Sequence, residues 1–340
     1  MKYVYRFLAL LSCALMLMLT TATAGADGGT PTLLQTIKVP GTPGRWDVMA
    51  IDPGSHHLYL SDTTNQSLDV LDLQTGQFVA QISGLPMQKS ATGSVSGSNG
   101  LAVAANLGKV FVSDQVDNAL HVYDMKSNTQ TAVIPTTQDG SDSVAYDPVE
   151  KKVYVSNGSS HTITVIDGTN NQVLSQIALP GGPELSAYDP FNDTIIQNLS
   201  STNQVAVIDP KTDTIRVVYN LVPGCGPHGV GVDPANQHLV IACTHMTVIM
   251  DAGDGSILSA TRHVYGSDVA DYNPIDNNFY VAASGFKPSP VLGVLSAATN
   301  DWVQNVPTAA GAHTLVVDPT DGKIYVGAQT PGTILVFSHA

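Results

Sequence analysis

The stretch Gly224-Cys225-Gly226-Pro227-His228-Gly229 sets one imidazole among glycines and a proline, immediately ahead of an apolar run that ends in Val232-Asp233-Pro234. A histidine placed in such a turn can donate, accept or ligate a metal near neutral pH. Five residues before comparable anchors elsewhere in the chain stand six more polar side chains: Asp47, Asn99, Asp142, Glu184, Asp268 and His313. Four carboxylates, two imidazoles and one amide, with no Ser, Thr or Gln among them, suit cation binding or acid–base chemistry. They lie 40 or more positions apart and form no local motif. Any joint chemistry depends on the elements that bring them together.

Those elements form a repeat. The segments "MAIDPGSHHLYLSD", "VAYDPVEKKVYVSN", "SAYDPFNDTIIQN", "VGVDPANQHLVIAC", "ADYNPIDNNFYVAA" and "LVVDPTDGKIYVGA" each join two apolar strands through an Asp-Pro or Asn-Pro turn. A seventh copy, "LAVAANLGKVFVSD", keeps both strands without the Asp-Pro. The anchors Asp52, Ala104, Asp147, Asp189, Asp233, Asn273 and Asp318 recur every 40 to 52 residues. Each unit continues with a third strand of alternating apolar and polar residues, such as "TITVIDGTNN", and a fourth, such as "QVLSQIAL". Four short strands per unit with no helical period between them predict propeller blades. The last unit stops one strand short, and "TLLQTIKV", residues 32–39, supplies the missing one. The chain therefore reads as all-β, a seven-bladed β-propeller of four-stranded blades closed by its N-terminal strand. In that architecture the seven polar positions begin the inner strands and meet at one mouth of the central channel.

Tyr154-Val155-Ser156-Asn157 in a second strand resembles the Tyr-Val-Thr-Asn signature of the YVTN-repeat β-propellers, and the likeness covers nearly all of the chain after its first residues. "CGPHGVGVDPANQHLVIAC" resembles a fifth-blade signature of exported members, in which one Cys precedes the inner strand and a second ends its neighbour. The resemblance implies a single exported propeller domain.

The N-terminus agrees with export. Lys2 and Arg6, an apolar run through Leu19 and the small residues Thr21 to Ala24 have the form of a secretory signal peptide over residues 1–24, leaving residues 25–340 as the propeller in the periplasm or outside the cell. The formal charge of −14 excludes phosphate backbones and anionic membrane surfaces as partners, and its magnitude grows once Lys2 and Arg6 are removed. No second apolar run reaches the length of a membrane span. The mature chain is read as a monomer. Cys225 and Cys243 are its remaining cysteines, and an even pair in an oxidising compartment predicts one disulfide. Counting back from the Asp233–His238 turn sets Val232 against Leu239, Val230 against Ile241 and His228 against Cys243.

The mouth is thus the expected ligand site, lined by Asp47, Asn99, Asp142, Glu184, His228, Asp268 and His313. His228, His313 and Glu184 are the expected ligands of copper or zinc, with open positions for water or substrate. Loops bearing Asp62, Asp117, His161, His245 and Lys287, with His263 in a connection between blades, are expected on the same face. Four carboxylates at one mouth repel one another, so one should hold its proton above the usual range, and replacing Asp268 by Asn should relieve the repulsion. The leading reading is a binding or scaffold protein that takes a metal, a small molecule or another protein at this face. The alternative is an enzyme on the same framework, a lactonase-like hydrolase or a lyase, since propellers related to the resembled family include such enzymes. The chain has no G-x-S-x-G elbow, no P-loop and no dinucleotide fingerprint.

Overall fold

Each repeat turns on the side chain of its anchor. The Asp147 carboxylate accepts the backbone N–H of Val149 at 2.7 Å and that of Glu150 at 3.2 Å. Asp52, Asp189, Asp233, Asp318 and the amide oxygen of Asn273 take the same bond two residues on. A short side chain that satisfies its own turn explains why Asp and Asn stand at the anchors. Asp72, Asp124, Asp167, Asp209 and Asp251 repeat the device after the third strands. Much of the acidic excess is therefore turn chemistry.

A computed structural model describes residues 29–340 as seven four-stranded antiparallel sheets, with a two-stranded hairpin between the first two. The signal peptide expected over residues 1–24 lies outside the described residues. Blades 1 to 6 span residues 49–83, 98–135, 141–178, 183–220, 227–261 and 269–307, and blade 7 combines residues 312–337 with the strand Leu33–Lys38. That strand pairs with Thr333–Phe337, setting Ile37 against Ile334 and Thr36 against Leu335. The ring closes as the sequence predicts. The longest gap between anchors holds the hairpin, Gln88–Lys89 with Val95–Ser96.

The core lies between blades rather than within them. Phe111, Leu120 and Val122 of blade 2 pack against Val153, Val155 and Ile166 of blade 3, and comparable clusters fill the other interfaces. Middle strands are consequently covered on both faces, and Lys152–Asn157 is buried from Val153 onward. The alternation in the third strands therefore does not mark a solvent side. Asp69, His121 and Thr164, at one position in blades 1, 2 and 3, are all buried. Each has an internal partner: Ser67 Oγ donates to Asp69 at 2.8 Å, His121 meets Asp117 at 3.1 Å, and Asn157 Nδ2 donates to Thr164 at 3.0 Å. Burial pushes the Asp69 carboxyl up to about 7.

Cys225 and Cys243 form a disulfide with their Cα atoms 5.2 Å apart. The register beside it corrects the count from sequence. Val232 faces Leu239 and Val230 faces Ile241, but Pro227 rather than His228 lies opposite Cys243. A β-bulge places two residues, His228 and Gly229, against one on the partner strand. Cys225 then sits two residues from the paired position instead of three, within bonding range of Cys243.

Deleting the chain through residue 39 removes the closing strand and with it Ile37 and Val39, which are buried against Trp46, Leu58 and Ile334. The truncated protein is expected to melt lower by on the order of 10 °C and to self-associate through the bared edge of Thr333–Phe337. Calorimetry and sedimentation velocity check this, and equal melting curves would refute the closure.

Candidate channel-mouth site

The bulge of blade 5 recurs at the same place in blades 2, 3, 4 and 7. The register slips by one between Ser98 and Leu101, Ser141 and Val144, Pro183 and Ser186, and Ala312 and Thr314. Asn99, Asp142, Glu184 and His313 all fall inside those slips, so each mouth residue of these blades stands where the ladder is left unpaired. A bulge re-aims a side chain that regular pleating would direct into the sheet packing. In blades 1 and 6 the inner strands begin one or two residues later, at Met49 and Val269, and Asp47 and Asp268 stand just ahead of them.

Close approach of neighbouring inner strands holds these turns. A Cβ on Gly100 would run into the backbone of Asp142 and Val144, and one on Gly229 into that of Asp268 and Val269. Only glycine follows Asn99 and His228 at that spacing. Side chains from the preceding blade then tie down the carbonyls of the bulge: Ser113 Oγ donates to the Asp142 carbonyl and Asn198 Nδ2 to that of His228, the latter at 2.8 Å. Within blade 4 itself, Gln197 Nε2 donates to the Glu184 carbonyl at 2.6 Å.

The mouth side chains form a chain of opposite charges. Arg45 Nη2 lies 2.9 Å from both Asp47 Oδ2 and Asn99 Oδ1, while Nη1 donates to the Val95 carbonyl of the hairpin at 3.1 Å. Asp47 Oδ1 is 3.3 Å from His313 Nε2, which is 2.7 Å from Asp268 Oδ2. Asp268 Oδ1 is in turn 3.4 Å from His228 Nδ1, and Glu184 Oε2 is equally close to that nitrogen. The other imidazole nitrogen of His228 meets Thr244 Oγ1 at 2.9 Å, and Ser200 Oγ donates to Glu184 at 3.2 Å.

Burial works against charge on His313, but the hydrogen bonds and charges of Asp268 and Asp47 outweigh it and hold the imidazole up to about 10. Its folded-state value is raised, so its contribution to stability is full below the ordinary value of 6.5 and is lost as pH rises through about 10. Burial also opposes charge on Asp47, yet His313 and Arg45 prevail and keep its pKa below 3.8. That contribution is present above 3.8 and lost as pH falls through the lowered value. The bond to Glu184 raises His228, with burial opposing and Asp268 assisting.

Asp142 carries the repulsion expected from gathered carboxylates. Half-buried and without a cation of its own, it is held well above the usual range by burial and by the charges of Asp47, Glu184 and Asp268, which Arg45 only partly offsets. Asp268, the position at which Asn was expected to relieve the repulsion, instead bridges the two imidazoles. The expected metal trio is also redistributed. His228 and Glu184 pair with each other, whereas His313 converges with Asp47 and Asp268 so that one ligand atom from each lies within 4.8 Å of the others.

The flanking groups divide. Asp62 is buried and bonds its own turn at Asn65, and Asp117 serves the buried His121. His161 and Lys287 are exposed, His263 stacks on Trp302 with ring centroids 4.4 Å apart, and His245 lines a cleft beyond the mouth. Arg45 was missed by sequence reasoning. Its signal was available, as a lone cation two residues before the first mouth carboxylate in a strongly acidic chain.

Because Asp142 keeps its proton more tightly when folded, its stability contribution is full below 3.8 and is lost as pH rises above it. Asp142→Asn is therefore expected to raise the melting temperature at pH 8 by a few degrees, one kcal/mol being worth roughly 2–4 °C in a large domain. The gain should shrink as pH falls toward 4. Asp268→Asn is expected to lower the melting temperature at the same pH, since it removes the partner shared by His228 and His313. Thermal scans of both variants from pH 4 to 8 test the assignment, and a stabilising Asp268→Asn would contradict it.

No family model matches the chain. Among curated proteins, Antigen Lp49 of Leptospira interrogans serogroup Icterohaemorrhagiae serovar copenhageni (strain Fiocruz L1-130) is 31% identical over 143 residues, which cover 41% of this chain and 30% of that protein. Among solved structures, hydrazine synthase of Kuenenia stuttgartiensis superimposes with a TM-score of 0.76 at 14% identity, covering 89% of this chain and 97% of that one. At such identity the likeness is one of fold, and the fold it supports is the propeller.

Proposed function

We propose that the protein is an exported propeller that binds a divalent transition metal, copper(II) or zinc, at the channel mouth through Asp47, Asp268 and His313. The observation that carries this reading is the convergence of one ligand atom from each of the three residues to within 4.8 Å of one another. Imidazole with carboxylate is a donor set that suits both ions, and three protein ligands leave positions open for water or a small molecule. His228 and Glu184 border the same site through Asp268 and would orient such a molecule. The disulfide is in keeping with an oxidising compartment, and the similar Leptospira protein is described as an antigen, which accords with export.

The metal must displace the proton that His313 otherwise shares with its carboxylates, and the raised value of about 10 makes that competition strong at neutral pH. Apparent affinity is therefore expected to rise with pH by up to about tenfold per unit between pH 6 and 8, with proton release on binding. Protein prepared without a metal-affinity tag should gain about 2.7 kcal/mol of stability at a hundredfold excess of zinc over Kd. His313→Ala and Asp47→Asn should abolish that gain. Titration calorimetry in two buffers of different ionisation enthalpy provides the measurement. Absence of stabilisation by any divalent ion would sink the metal reading.

A further inference from the structure

Beside the mouth, the loop leading into blade 5, the turn between its second and third strands and the segment leading out of it border a separate, open cleft of about 450 Å³ lined by Gly224, His245, Arg262 and Tyr265. We infer that this cleft binds a small organic carboxylate with a planar apolar body, gripped by the Arg262 guanidinium and laid against Tyr265.

Charge selects the ligand class. In a chain of net charge −14, Arg45, Lys152, Lys211 and Lys323 each lie within 3.1 Å of an aspartate oxygen. Arg262 has no carboxylate within ion-pair distance among the described residues, and His245, exposed beside it in the cleft, adds a second donor. A guanidinium presents two parallel N–H groups in the spacing of a carboxylate, a geometry that an ammonium does not match.

The walls are fixed before any ligand arrives. On one side the Cys225–Cys243 disulfide pins the loop bearing Gly224, and His245 N donates to the Cys225 carbonyl at 3.3 Å. On the other, the segment carrying Arg262 and Tyr265 is held at three points. His263 stacks on Trp302, its carbonyl accepts Asn305 Nδ2 at 2.7 Å, and Val264 is fully buried. Tyr265 is propped by Phe286 with centroids 4.9 Å apart, leaving an aromatic wall that a planar ligand can cover. A preformed cleft of this volume loses little entropy on binding a ligand of its own shape. No mouth ligand takes part, so the inference stands apart from the metal reading.

The experiment is calorimetric titration of the mature protein, with EDTA present, using sodium benzoate, sodium acetate and benzamide as probes. Benzoate is expected to bind at least about tenfold more tightly than acetate, which lacks the ring, and than benzamide, which lacks the charge. Arg262→Ala should weaken benzoate by about tenfold or more while leaving the melting temperature unchanged, since the side chain is exposed. His313→Ala should leave benzoate binding unaltered. Benzoate binding that survives Arg262→Ala, equal binding of benzamide, or no binding by benzoate up to tens of millimolar would each overturn the assignment.

Discussion

The pairing of Leu33–Lys38 with Thr333–Phe337 is the interaction on which the rest of the molecule depends. Each blade buries its middle strands only against its neighbours, so a blade at an open end would leave an apolar face and a strand edge in water. Closure removes both and sets the distance from every inner strand to the axis. The convergence of Asp47 from the first blade with Asp268 and His313 from the last two is a direct result, because these residues meet across the seam that the closing strand seals.

Crowding at the axis accounts for the shape of the mouth. Inner strands approach so closely that Gly100 and Gly229 cannot carry a side chain without displacing the next blade. In five of the seven blades the ladder slips by one residue at that point, and a residue released from the ladder is free to face the channel. Below the mouth the lumen holds a cavity of about 140 Å³ lined mainly by Val, Leu and Met, with Asp271 as its one carboxylate. Val317 N and Tyr272 N both donate to Asp271, so that group ties blade 6 to blade 7. The polar chemistry belongs to the rim.

At the rim the charges compensate one another in sequence around the ring. Arg45, His313 and His228 alternate with Asp47, Asp268 and Glu184, and each of the three basic side chains lies between acceptors from different blades. Asp142 is outside this alternation, and burial together with the charges of Asp47, Glu184 and Asp268 holds its carboxyl well above the ordinary range. A cation entering beside Asp47, Asp268 and His313 would replace a shared proton with a fuller charge, and the low exposure of Asp47 would keep that charge poorly screened. The cleft over blade 5 has the opposite polarity, so the face presents an acidic mouth and a basic, aromatic neighbour.

Blade number, strand order, closure and the seven mouth positions were legible in the sequence, because Asp-Pro turns and apolar runs are local signals that repeat with the fold. The cysteine pair was legible by parity. The register at His228 was not, since a bulge costs one residue without altering composition, and unbroken counting set His228 where Pro227 stands. Which mouth residues pair was decided only in three dimensions. His228 joined Glu184, His313 joined Asp47 and Asp268, and Arg45, though visible in the sequence two residues before Asp47, acquired its role from the Asn99 and Val95 groups that folding brings to it. Local sequence determines where a strand turns, because the bonds involved span two or three residues. Charges tens or hundreds of residues apart interact only at distances set by how tightly the inner strands pack around the axis, and that packing is a property of the closed ring.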